Sequence, residues 1–148
     1  MDKKIYAGNN LRSGRYSIAG QIYSLTFVTQ NRDCIFDDLF AARQAILNLH
    51  AEAVDKRVKT LAFVVMPDHM HWLMQLKPRA DLSTSVRIYR SKVSLGVGAK
   101  IWQKGFHDRA LRRDEDLANA ARYIIANPVR AGIVDRVGDY PHWDAIWV

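Results

Sequence analysis

Thr60-Leu61-Ala62-Phe63-Val64-Val65-Met66-Pro67-Asp68-His69-Met70-His71-Trp72-Leu73-Met74-Gln75-Leu76 is the stretch that decides the fold. Its first seven residues form a nearly unbroken apolar run, the pattern of a strand buried on both faces. Pro67-Asp68 breaks the run, His69–Leu76 returns as the second strand of a hairpin, and Pro78 ends it. Upstream, Gln21–Thr29 alternates and is rich in β-branched and aromatic residues, which reads as a strand. Leu39 to about Val58 has helical spacing, with Asp37 or Asp38 as its N-cap. Downstream, a basic amphipathic helix runs from Leu82 to about Leu95 and stops at Gly96 and Gly98; a short strand covers Phe106–Leu111. Asp114 caps a last helix that reaches about Asn127, where Pro128 disfavours continuation. The order β-α-β-β-α-β-α contains two split βαβ halves. It predicts the α+β class: a ferredoxin-like antiparallel sheet with helices packed on one face, followed by a C-terminal helix.

The 148 residues carry 22 Lys and Arg against 15 Asp and Glu, a formal charge of +7. Such an excess favours polyanions and adds salt-dependent affinity for phosphate backbones; a basic protein without a nucleic-acid partner is the competing reading. No apolar window approaches the roughly 18 residues of a membrane span, and the N-terminus lacks the apolar run of a signal peptide. The single cysteine, Cys34, excludes an internal disulfide and a cysteine-built metal site; it reads as a space-filling residue in a cytoplasmic protein. No repeat or linker divides the chain, so residues 1–148 are expected to form one domain, with residues 1–20 as a basic N-terminal arm.

Period-two geometry puts Met70, Trp72, Met74 and Leu76 on one face of their strand and His69, His71, Leu73 and Gln75 on the other. Two imidazoles one pleat apart suit joint ligation of one metal ion. His-x-His is a short motif, however, and two hydrogen-bonded histidines at a strand start would look the same. On the last helix Leu117, Ala121, Ile124 and Ile125 make the core stripe, and Tyr123 and Asn127 stack four residues apart on its flank. Asn127 offers a carbonyl oxygen as a third ligand and Tyr123 a phenol beside the same ion. Without a thiolate, the set suits Mg²⁺ or Mn²⁺ bound partly by substrate phosphate better than structural zinc. A phenol with an ordinary pKa of about 10, placed near a cation, is a nucleophile that can attack phosphorus directly.

Three segments in order carry a family resemblance: Val65-Met66-Pro67-Asp68-His69-Met70-His71, Ile101-Trp102-Gln103-Lys104-Gly105-Phe106-His107-Asp108-Arg109, and Ala121-Arg122-Tyr123-Ile124-Ile125-Ala126-Asn127-Pro128-Val129-Arg130-Ala131-Gly132. From about Arg15 to Trp143 the chain resembles the single-tyrosine HUH transposases, most closely the REP-associated tyrosine transposases. The resemblance implies a divalent ion on His69 and His71, with Asn127 completing the site and Tyr123 as nucleophile. It also implies single-stranded DNA that folds into a hairpin, cleaved beside the hairpin with a 5′-phosphotyrosine intermediate and rejoined without ATP. Arg12, Arg15 and Tyr16 resemble the family region that reads a short sequence beside the hairpin. Relatives that continue beyond the position of Val148 carry a tail that competes with DNA, and such a tail is expected to be absent or shortened here.

Arg87, Arg90 and Lys92 on the basic helix, and Arg109, Arg112 and Arg113 around the fourth strand, are further candidates for phosphate contact, with a solvated helix face as the alternative for the first three. Tyr89 lacks a ligand-type residue at i+4 and reads as a stacking or core residue; Tyr16 and Tyr23 lack one as well. His107 reads as structural, and Trp102, Trp143 and Trp147 as packing. Two other function classes compete with the transposase. One is a non-catalytic hairpin-binding regulator derived from such an enzyme, and the other is a metallophosphodiesterase that uses water. Monomer and homodimer are both open, and in a dimer the phenol of one copy could serve the histidines of the other.

Overall fold

The computed structural model describes residues 20–112 and 116–147. Its strands and helices follow in the order β1 (Ile22–Val28), α1 (Leu39–Leu49), a short α2 (Glu52–Asp55), β2 (Val58–Met66), β3 (His69–Leu76), α3 (Leu82–Val97), β4 (His107–Ala110), α4 (Leu117–Ile125), α5 (Asn127–Arg130) and β5 (Trp143–Ala145). The sheet is antiparallel throughout, in the order β4-β1-β3-β2-β5. Its first four strands have the order expected of two interleaved split βαβ units, and β5 is added on the outer edge of β2.

Alternation along the strands divides the interior into two layers. Tyr23, Leu25 and Phe27 of β1 join Met70, Trp72, Met74 and Leu76 of β3 against Ala42, Ala45 and Leu49 of α1 and Val86, Tyr89 and Val93 of α3. The opposite face carries Val64 and Met66 of β2 and Leu73 of β3, covered by Ala121 and Ile124 of α4, with Tyr140 and Ala145 beside them. The two long helices thus share one face. The last helix takes the other face, the one that holds His69 and His71.

Several element boundaries differ from the sequence expectation. The first helix ends at Leu49, and Ala51 is extended (φ −62°, ψ 143°) before α2 begins. Continuing the stripe Ala42–Ala45–Leu49 at helical spacing would have presented Glu52 and Lys56 to the core. The break presents Val54 instead, which is buried, and Val58 opens β2 rather than closing a helix. The third helix runs on to Val97. Gly96 lies inside it, where a Cβ would stand 2.0 Å from the Gln44 side chain of α1, and Gly98 ends it at φ +89°. The cap of α4 is Asp116, whose carboxylate accepts from Asn119 N; Asp114 lies outside the described residues. Pro128 does not end the helical path. It sits in the first turn of α5, where its missing N–H costs no hydrogen bond. Cys34 is exposed and fills no space in the core.

Candidate active site

The site is built on the two-residue turn Pro67-Asp68, since Met66 and His69 already pair across β2 and β3. Thr29, buried just after β1, fixes this turn: its backbone N–H donates to the Asp68 carbonyl at 3.0 Å, and its single hydroxyl proton is shared between the Asp33 and Asp68 carbonyls, at 2.7 and 2.9 Å. Phe36 N–H donates to the Pro67 carbonyl at 3.0 Å. Held this way, the Asp68 carboxylate turns back onto its neighbour, with Oδ1 2.7 Å from His69 Nδ1 and Oδ2 3.4 Å from Arg32 Nε. Burial pushes the Asp68 carboxyl up, but the His69 hydrogen bond and the charges of His69 and Arg32 outweigh it and hold the group below its ordinary value. A carboxylate can only accept, so His69 Nδ1 is the donor.

His71 stands opposite Thr26 on β1, and its Nδ1 is 3.0 Å from the Thr26 hydroxyl. The two imidazole centroids are 5.0 Å apart and the rings nearly perpendicular. Burial, then the charge of His69 and then that of Arg130, lower the His71 pKa to about 4, so the ring is neutral at physiological pH. Among the described residues, neither Nε2 has a hydrogen-bond partner. Two imidazoles held at Nδ1, with Nε2 unpartnered among the described residues, have the form of metal-ligating histidines, whose second nitrogen is normally fixed by a carboxylate or hydroxyl.

Tyr123 and Asn127 belong to the helix pair on this same face. Tyr123 is 68% exposed, and the Arg130 guanidinium lies 3.8 Å from its ring centroid. Asn127 Nδ2 donates to the Ile124 carbonyl at 2.8 Å, which leaves its Oδ1 as the outward-acting atom. An amide oxygen offered from the helix pair on the imidazole-bearing face is a donor type that fits a hard divalent cation with open positions for phosphate. His107 is paired with Thr26 and so lies in the cross-strand row of His71, two strands away. Arg109, paired with Ser24, belongs to the same face, and Arg112 is exposed just beyond β4.

The helix α3 candidates are not brought to this site. They lie across the sheet from the histidines. Arg87 is exposed there and Lys92 half-buried, whereas Arg90 is built into the fold. The Arg90 guanidinium donates to the Gly105 and Gln103 carbonyls at 2.6 and 2.5 Å and lies 5.4 Å from both the Phe27 and Trp102 rings; burial lowers its pKa to about 10. Beside it a cleft of about 870 Å³ opens between α3 and the following loop, with Arg87, Lys100 and Lys104 among its lining residues. Tyr89 is a core residue whose hydroxyl donates to the Ala45 carbonyl at 2.7 Å. Tyr140 is buried as well; its hydroxyl donates to the Val65 carbonyl at 2.6 Å, and burial with the charge of Asp37 pushes its pKa up to about 12. Arg12, Arg15, Tyr16 and Arg113 lie outside the described residues.

Residues 17–127 match the protein family described as "Transposase IS200 like". The chain belongs to the IS200-like transposases. It is 31% identical over 131 residues to the REP-associated tyrosine transposase of Escherichia coli (strain K12), an alignment that covers 86% of this chain and 78% of the relative. A Haemophilus influenzae (strain Rd) protein whose name contains the same family term is 32% identical over 146 residues, covering 83% of this chain and 78% of that protein. The fold is similar to that of a REP-associated tyrosine transposase solved bound to a REP hairpin, with a TM-score of 0.72, 30% identity, and coverage of 87% of this chain and 79% of the other. The single-tyrosine transposase family resemblance seen in the three segments is therefore correct.

Three residues of this transposase's candidate site escaped the sequence reading. Asp68 and Thr26 hold the two imidazoles, and Arg130 covers the tyrosine. Asp68 had a local signal, because an acidic residue in a tight turn next to a histidine is within reach of its ring. Thr26 needed the register of β1 against β3, which no local pattern supplies. Arg130 lies in the Asn127-Pro128-Val129-Arg130 stretch already singled out, but only the direction of α5 aims it at Tyr123. Among the described residues, no helix is long and apolar enough to cross a membrane.

Proposed function

We propose that this transposase cleaves and rejoins single-stranded DNA beside hairpin-forming ends through a covalent 5′-phosphotyrosine. His69, His71 and Asn127 are the residues that would hold a Mg²⁺ or Mn²⁺ ion, and such an ion, when bound, polarises the scissile phosphodiester and stabilises charge on its oxygens. The chain's own residues supply the rest. The Tyr123 oxygen forms a bond to phosphorus as its proton passes to solvent; the bond from phosphorus to the 3′-oxygen breaks, and that oxygen takes up a proton from water. The strand is left with a free 3′-hydroxyl and its other part joined to the protein. Because the phosphotyrosine keeps the energy of the broken ester, a second 3′-hydroxyl can attack it, release Tyr123 and join two strands.

The single observation that carries this reading is the pair of imidazoles, 5.0 Å apart and each held at Nδ1, on the sheet face covered by the Tyr123 helix. The hairpin as partner is supported by the relative that was solved bound to one. Arg109 on the site face, Arg112 just beyond β4, and Arg87 and Lys92 on α3 across the sheet are the described residues proposed to meet DNA phosphates.

The test is incubation with single-stranded hairpin oligonucleotides and Mn²⁺, followed by denaturing electrophoresis. A protein band shifted by one DNA fragment supports the reading. Hairpin binding with no cleavage product would identify the chain as a regulator, and cleavage with no adduct would identify a water-using phosphodiesterase.

A further inference from the structure

We propose that Arg130 is a positioning residue for the nucleophile, holding the Tyr123 ring beneath its guanidinium plane and presenting positive charge on the side where the scissile phosphate must lie. The inference rests on the function proposed above. Its starting point is the 3.8 Å between the guanidinium carbon and the ring centroid, well inside the roughly 6 Å reach of a cation–π contact.

This contact is not what helical spacing alone supplies. Residues seven apart in an unbroken helix are about 10 Å apart along its axis. The path here breaks at Ala126, where the backbone stands at φ −81°, ψ −3°, and restarts at Asn127 with Pro128 in the first turn. Side chains on a helix lean toward its N-terminus, so Arg130 reaches back over the break while Tyr123 supplies the surface it covers.

The charge environment separates Arg130 from five other arginines of the fold. Arg32, Arg57 and Arg136 face carboxylates, Arg90 is bound to two carbonyls, and Arg122 beside Tyr123 turns to Asn119. Arg130 has no carboxylate partner among the described residues, and it stands in α5, which follows α4 on the sheet face that holds the histidine pair. One guanidinium without a carboxylate partner among the described residues therefore lies against the Tyr123 ring. The planar cation stacks on the aromatic face and fixes the direction of the phenol, which a flexible ammonium would do less well.

The test is single-turnover adduct formation by the full chain with a hairpin oligonucleotide and Mn²⁺, alongside equilibrium binding of the same DNA. Arg130→Ala should lower the maximal rate on the order of 10²-fold, with the half-saturating DNA concentration nearly unchanged. Arg130→Lys, which keeps charge but not the plane, should fall between. An Arg130→Ala variant with the wild-type maximal rate, or one in which only DNA affinity falls, would overturn the proposal while leaving the function intact. A wild-type chain that forms no adduct would instead remove the function. The DNA-free protein then still decides the geometry by NMR: the Arg130 side-chain protons should be displaced upfield by the tyrosine ring current and return in Tyr123→Leu. Undisplaced protons would refute the contact.

Discussion

Replacing Asp68 with asparagine tests how much of the metal affinity resides outside the ligands themselves. The carboxylate lies 2.7 Å from His69 Nδ1 and holds a proton there, so that Nε2 is the nitrogen left to face a metal ion. Asp68→Asn keeps the volume but removes the charge, and an amide can present N–H to the ring as readily as oxygen, which favours the wrong tautomer. Side-chain exposure of only 19% for His69 and 28% for Asp68 limits how far water can replace the lost interaction. Loss of a carboxylate behind a ligating histidine costs about 10–100-fold in metal affinity, or about 1.4–2.7 kcal/mol. Arg32, at 3.4 Å from the carboxylate and 55% exposed, contributes less, and Arg32→Gln should change affinity by under about threefold. The assay is a Mn²⁺ titration of the DNA-free protein, with free ion read by electron paramagnetic resonance. Asp68→Asn binding Mn²⁺ as tightly as wild type would refute the reasoning, because His69 would then not need its carboxylate.

Other consequences follow from the same geometry. With a folded pKa of about 4 for His71 against about 6.5 unfolded, the unfolded chain binds more protons between these values, so stability should rise with pH across that window. The gain is on the order of 3 kcal/mol, complete above about pH 6.5, and is read by urea unfolding at pH 4.5 and 7 in the presence of a chelator. Tyr89→Phe leaves the Ala45 carbonyl without its buried donor and should cost about 1 kcal/mol in the same assay, with adduct formation unchanged. Gly98→Ala places a side chain at φ +89° and should destabilise by about 1 kcal/mol, although the space around the new Cβ is open.

The parts of the fold legible in the sequence were those set by local pattern. The alternation of His69–Leu76 assigned every side chain of β3 to its observed face, and the order of elements implied the sheet order of the first four strands. The helix break at Ala51 was hidden because the spacing on either side is individually helical, and the core's need for Val54 rather than Glu52 appears only in three dimensions. β5 is three residues of no pattern, recruited because β2 offers a free edge and Tyr140 and His142 anchor it there. Of the site residues, the four candidate side chains were visible as two short spacings, i and i+2 on a strand and i and i+4 on a helix. Their supports were not, since Thr26, Arg32 and Arg130 reach the site only through strand register, a left-handed turn at Asn31 and Arg32, and the redirected α5. The partners of Arg90 were hidden for the complementary reason: a basic helix face says nothing about backbone carbonyls that another loop brings to it.

The most direct measurement of the central claim is the covalent state of Tyr123 after exposure to a single-stranded hairpin oligonucleotide and Mn²⁺, read by peptide mass mapping. Wild-type protein should carry a nucleotide phosphate on the Tyr123 phenol oxygen, and Tyr123→Phe, which still binds the hairpin, should carry none. A DNA adduct that persists undiminished in Tyr123→Phe, or one mapped to a different residue, would contradict the account.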